Sequence, residues 1–154
     1  MDFSGDELAG VVDLFGALTR DELGRALAEL AYKQGESDDP DAFAEEIDAA
    51  IAAYRIISLA HETTDDPVLV AGPGAFPELP EGATDLVHIL DIEDRTVDRE
   101  AAGRAVLDRF REDAAAAVES GDPDRVAHLL DVSYELEAWA DVDLSAERDH
   151  LDSV

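Results

Sequence analysis

DAFAEEIDAAIAAYRIISLAHETTDDPVLVAGPGAF, residues 41–76, decides the fold. Phe43, Ile47, Ala50, Ile51 and Tyr54 recur at the spacing of one helical face. Just upstream, Asp39 and Pro40 supply an N-cap and a proline at the first helical position. From Ile56 the period shortens toward two: Ile56-Ile57-Ser58-Leu59 is apolar and β-branched. Glu62 to Pro67 is a turn by composition, Val68 to Ala71 is the returning strand, and Gly72-Pro73-Gly74 ends it. The stretch therefore predicts a helix followed by a β-hairpin.

Working back toward the N-terminus, Ser4-Gly5-Asp6-Glu7 fits a capping box, with Phe3 and Leu8 as its hydrophobic staple. Leu8, Val11, Val12, Phe15 and Leu18 continue one face and predict a first helix from about Gly5 to Ala17. Thr19-Arg20-Asp21-Glu22 is a second capping box, stapled by Leu18 and Leu23. Leu23, Ala26, Leu27, Leu30 and Ala31 predict a second helix from about Arg20 to Gln34, with Gly35 as its stop. Only a residue or two joins these helices, the sharp junction of a helix-turn-helix unit. Three helices and then a hairpin is the element order of a winged helix.

Toward the C-terminus, the prolines of Phe76-Pro77-Glu78-Leu79-Pro80-Glu81-Gly82 favour an extended strap. Leu86, Val87, Ile89, Leu90 and Ile92 form a further apolar run, a short helix or a strand. Asp91 to Arg95 reads as a linker. Thr96 is the expected cap of a long helix from about Val97 to Ser120, with Ala102, Val106, Phe110, Ala114, Ala117 and Val118 on its apolar face. Gly121-Asp122-Pro123 combines a stop, an N-cap and an N1 proline. The next helix carries Val126, Leu129, Leu130, Tyr134 and Leu136 and ends near Trp139. So short a connection predicts an antiparallel pair. Ser145 is expected to cap a last turn that returns Leu151. The fold class is mainly α with a small β-hairpin: a winged-helix-like domain over residues 3–92, then an antiparallel helical hairpin over residues 96–154.

The 154 residues carry 39 acidic side chains against 11 basic ones, a net charge of −28. Lys33 is the single lysine, and Asp outnumbers Glu. A folded domain of that charge repels itself in dilute buffer; in molar salt the Debye length falls to about 3 Å and the repulsion fades. The acids are spread along the chain and an apolar fraction of 46% accompanies them, which argues against an acidic disordered tail. The composition points to the cytoplasm of a salt-accumulating cell. The absence of cysteine excludes disulfides, thiolate nucleophiles and cysteine-ligated metals. No segment approaches the ~20 apolar residues of a membrane span, and Met1-Asp2-Phe3-Ser4-Gly5-Asp6 lacks the pattern of a signal peptide. A soluble protein is expected.

The run Val70-Ala71-Gly72-Pro73-Gly74-Ala75-Phe76-Pro77-Glu78-Leu79-Pro80-Glu81-Gly82, followed by Asp85, His88 and Asp91, resembles a haloarchaeal family known as a domain of unknown function. Leu18-Thr19-Arg20-Asp21-Glu22-Leu23 and Leu130-Asp131-Val132-Ser133-Tyr134-Glu135-Leu136-Glu137-Ala138-Trp139-Ala140 belong to the same resemblance, which thus spans most of the chain. It implies a haloarchaeal source and a winged-helix N-terminal half, and it carries over no catalytic or ligand residue.

A DNA-reading winged helix lays its third helix in the major groove. Here the residues off the apolar face are Asp41, Glu45, Glu46, Asp48, Ala49, Ala52 and Arg55, and the hairpin turn adds Glu62, Asp65 and Asp66. This surface has the wrong sign for phosphate, so DNA binding is disfavoured. Arg95, Arg99, Arg104, Arg109 and Arg111 alternate with Asp94, Asp98, Glu100, Asp108, Glu112 and Asp113, the pattern of a salt-bridged solvated face. His88 with Asp91 and His128 with Asp131 share an i, i+3 spacing that could begin a metal site, but no His-Glu-x-x-His motif accompanies them. Gly72-Pro73-Gly74 lacks the phosphate-loop pattern, and Ser58 and Ser133 lack a nucleophile elbow.

No catalytic, cofactor-binding or metal-ligating set emerges, and no cofactor is expected. The expectation is a non-catalytic interaction module attached to transcription, meeting a protein partner or a second copy through the C-terminal hairpin. Arg55, Tyr134 and Trp139 are its candidate contact residues. The alternative is a DNA-binding regulator working at high salt, which would need Arg20, Arg25, Arg55 or Lys33 gathered on one face.

Overall fold

Both capping boxes form. In the computed structural model, which describes residues 2–93 and 95–153, the Ser4 hydroxyl accepts the Glu7 amide at 3.1 Å and Glu7 accepts the Ser4 amide at 3.0 Å. They start α1, Gly5–Phe15. Thr19 and Glu22 exchange the same bonds at 3.2 and 2.9 Å and start α2, Arg20–Lys33. Each cap contributes about 0.5–2 kcal/mol. The staple residues Phe3 and Leu8 are buried. α1 ends two residues before the expected Ala17, because Gly16 turns at φ +89°. The two-residue junction is itself a strand, β1, Leu18–Thr19.

A 3₁₀ turn over Pro40–Phe43 leads into α3, Ala44–Ala52. Asp39 has the extended backbone of an N-cap, but its side chain makes no capping hydrogen bond. β2, Ile56–His61, and β3, Thr64–Ala71, pair antiparallel, and β1 pairs with the other edge of β3. The sheet order is β1-β3-β2. The turn is shorter than its composition suggests: Glu62 and Thr63 alone lie outside the strands, and His61 pairs with Thr64. Thr64, Asp65, Asp66 and Pro67 belong to β3. A proline is tolerated there because β1 stops at the partners of Val68 and Leu69 and the β2 pairing is irregular between Leu59 and His61.

α3 ends in a Schellman motif, with the Arg55 amide on the Ala50 carbonyl and the Tyr54 amide on the Ile51 carbonyl. The left-handed position that glycine usually fills is occupied by Tyr54, at φ +60° and fully buried. That conformation costs an L-residue roughly 1–2 kcal/mol, offset by burial of the ring. The Tyr54 carbonyl in turn accepts the Gly74 amide at 2.8 Å. A Cβ on Gly72 would collide with that carbonyl oxygen, so the Gly72-Pro73-Gly74 turn closes directly over the end of α3.

The strap is pinned to α1. The Phe76 amide donates to the Asp6 carboxylate and the Glu78 amide to the Asp6 carbonyl, both at 3.0 Å. Gly10 meets the Glu78 backbone where no Cβ would fit. The apolar run after it becomes a 3₁₀ turn, Ala83–Asp85, and one turn of helix, α4, Leu86–Ile89, with Leu86 in the core.

The chain divides into two units, Met1–Val97 and Asp98–Val154. In the second, α5 spans Arg99–Ser120, α6 Pro123–Trp139 and α7 Ser145–Asp152. The cap of α5 is Asp98 and not Thr96: its carboxylate accepts the Glu100 amide, whereas the Thr96 carbonyl receives the His61 ring at 3.0 Å. Asp122 caps α6, with Pro123 first in the helix. α5 and α6 run antiparallel, since Arg99 at the start of one meets Trp139 at the end of the other. Ser145 is the first residue of α7 and not its cap; Asp143 accepts the Ser145 amide. α7 has two turns and buries both Leu144 and Leu151 at its ends, so the hairpin is a three-helix unit. The chain is thus mainly helical with a small three-stranded antiparallel sheet.

Candidate interaction surface

α3 turns Ala44, Glu45, Asp48, Ala49 and Ala52 outward. Arg20, at the first position of α2, is the base that reaches this face, and its guanidinium is 2.9 Å from the Asp48 carboxylate. Arg55 leaves the end of α3 toward α1, where it pairs with Asp6 and lies across Gly5. Lys33 pairs with Asp85 at 3.1 Å. Three of the four bases that a phosphate-binding face would draw on are therefore held by carboxylates from three different elements. Arg25 is exposed and stands apart from these pairs.

Arg95 does not join a basic helix face. It is buried against Glu22, with its second guanidinium nitrogen donating at 3.0 Å. Burial pushes the Glu22 carboxyl up, but the Arg95 guanidinium and the Thr19 amide outweigh it and hold the group below the usual carboxylate range. Arg109 reaches Asp113 at 3.4 Å within α5, but Arg111 crosses to Glu147 on α7 at 3.1 Å, so among the described residues the interleaved acids of this stretch pair with one of these bases. Asp94, one of the acids expected to interleave with these bases, lies outside the described residues.

Tyr134 is 61% exposed and carries the Arg148 guanidinium 4.4 Å above its ring. Arg148 also forks onto Glu137 at 2.7 and 3.2 Å. Trp139 is half-buried beneath Arg99, 3.9 Å from the guanidinium carbon to the ring centroid, and its carbonyl accepts from Arg99 at 3.2 Å. Both aromatics thus sit in arginine–ring stacks within one unit, while Arg55 belongs to the other.

The histidine pairs do not form a site. His88 is on α4 but Asp91 lies beyond its end. The His128 ring is engaged by the Arg125 guanidinium at 2.9 Å. Among the described residues no cluster of three or more His, Asp or Glu side chains could hold a metal ion. Ser133 is buried, donating to the Leu130 carbonyl at 2.6 Å.

Two features escaped the sequence reading. The first is Phe76, at 76% exposed, with Leu79 at 51%. The strap's backbone faces α1, so its side chains point away; the proline that follows each residue, Pro77 and Pro80, is the available signal. The second is a groove of about 390 Å³ at the Arg99 end of α5, in which Trp139 is one wall. No spacing rule predicts it, because it joins the start of one helix to the residues after another.

A family model described as a family of unknown function, DUF7109, matches residues 6–154. The chain belongs to that family. No curated protein and no solved structure matches it. The family match covers both units, so α5 to α7 are part of the family's domain and not an appendage to it. Among the described residues no helix is long and apolar enough to cross a membrane.

Proposed function

We propose that the chain is a non-catalytic, winged-helix-type interaction module of a haloarchaeal cytoplasm, attached to transcription and directed at a protein and not at DNA. The winged-helix reading is supported by the element order α1-β1-α2-α3-β2-β3 with β1 beside β3. The observation that carries the choice of partner is the pairing of Arg20 with Asp48, Arg55 with Asp6 and Lys33 with Asp85. A phosphate would have to displace a carboxylate at each, and the remaining surface of α3 repels it. The exposed Tyr134, backed by Arg148, is the aromatic anchor on offer to a protein partner or a second copy.

The test is binding to labelled duplex DNA across potassium chloride from low to multi-molar, with circular dichroism in parallel. The expected result is a chain that folds as salt rises and ignores DNA wherever it is folded. Saturable duplex binding by the folded chain would overturn the choice of partner and make it a DNA-binding regulator.

A further inference from the structure

Of the chain's 11 bases, Arg20, Lys33, Arg55 and Arg95 form ion pairs in the first unit and Arg109, Arg111, Arg125 and Arg148 in the second. Among the described residues Arg25, Arg99 and Arg104 form none. Two of those three line one groove. This is not a shortage of acids: Glu100 precedes Arg104 by four residues on α5, the favoured orientation for a helical ion pair, yet the two remain apart. Arg99 is fixed instead by the Trp139 ring and carbonyl.

The groove offers both signs of charge. The guanidiniums of Arg99 and Arg104 and the carboxylates of Glu100 and Asp141 line it together. Between them lie apolar surfaces from Leu107, Trp139 and Val142. Gly103 brings α5 close to Ala140, where an added Cβ would stand 3.4 Å from the alanine methyl. The volume of about 390 Å³ is within the range of roughly 300–1,000 Å³ of small-molecule sites. A phosphate would meet two carboxylates there, and a simple cation would meet two guanidiniums.

We propose that this groove binds a small zwitterion, a free α-amino acid with an apolar side chain. Arg104, the guanidinium without an acceptor, takes the carboxylate; Glu100 and Asp141 take the ammonium; the side chain rests on Leu107 and the indole of Trp139. The proposal is independent of whether the first unit meets protein or DNA.

Trp139 is the chain's single tryptophan and reports on the groove directly. The whole chain, folded by circular dichroism, is titrated with L-leucine, isopentylamine, 4-methylpentanoate and inorganic phosphate while indole emission is followed. Leucine is expected to give a saturable change, with either amputated analogue weaker by about tenfold, the loss of one charge-assisted contact, and phosphate silent. Arg104→Gln, on an exposed helical position, is expected to weaken leucine by about the same factor. Asp141→Asn, outside the helices, tests the ammonium contact separately, and Arg25→Gln should bind as the parent does. The proposal is overturned by no saturable response to leucine, by equal binding of the acid, the amine or phosphate, or by unchanged affinity in both Arg104→Gln and Asp141→Asn.

Discussion

α1 and α2 meet the core of the first unit with Leu8, Val11, Val12, Leu23, Leu27 and Leu30, whereas α5 meets the second with Ala102, Gly103, Ala114 and Ala117 around one large ring, Phe110. Small residues let helices approach but bury little area each. The second unit adds a device of its own: every helix pair in it is crossed by an ion pair. Arg125 bridges α6 to Asp113 on α5, Arg111 bridges α5 to Glu147 on α7, and Arg148 bridges α7 to Glu137 on α6. The first unit can be broken by removing apolar volume or its buried Arg95–Glu22 pair, whereas in the second the ion pairs themselves cross the helix contacts.

The largest effect should come from Phe110→Ala. Truncating a fully buried aromatic costs about 3–5 kcal/mol, and in the second unit no comparable side chain on α5 stands in reserve. Hydrogen exchange should show lost protection over residues 99–152 with the amides of residues 5–71 still protected. Equal loss in both would mean that the units do not open separately. Tyr54→Gly comes next. It forfeits a buried ring but releases the left-handed strain, so the net loss should be about 2–3 kcal/mol, less than a ring deletion at ordinary φ. Denaturant midpoints for Tyr54→Gly and Phe110→Ala measure the difference.

The smallest effect is in the pH dependence of the second unit. The Arg148 guanidinium, with the Leu144 amide, holds the Glu137 carboxyl below its ordinary 4.5. A carboxyl lowered on folding contributes stability that is full above its unfolded value and lost as pH falls through the folded one. On acidification below about pH 4.5 the parent should therefore lose stability more steeply than Glu137→Gln. Identical acid limbs in the two proteins would show that this pair contributes nothing.

The same contrast explains what could be read in advance. Capping boxes, the Ile56–Leu59 strand and the Gly121-Asp122-Pro123 turn are local signals, and each element formed where its residues stand. β1 was not legible, since two residues have no period, and its partner Leu69 is fifty-one positions away from Leu18. α7 is legible only as a turn because its anchors, Leu144 and Leu151, bracket a stretch with no large apolar residue. At the candidate site, Tyr134 and Trp139 were visible as aromatics, but their arginine partners come from other helices. Arg55 stands off the apolar face of α3, but its pairing with Asp6 was not legible. Its partner Asp6 lies at the far end of the sheet-forming unit's sequence, and no spacing rule joins them.

The short β1 has one more consequence. Past Val68, β3 continues through Pro67, Asp66, Asp65 and Thr64, and among the described residues no strand lies beside it on that edge. An open edge invites the strand of another molecule, and stacked copies would follow. The two aspartates repel such a visitor in dilute buffer, but ions at molar concentration mute them. Pro67 has no N–H to offer at any ionic strength. A guard made of geometry keeps working in brine after one made of charge has been switched off.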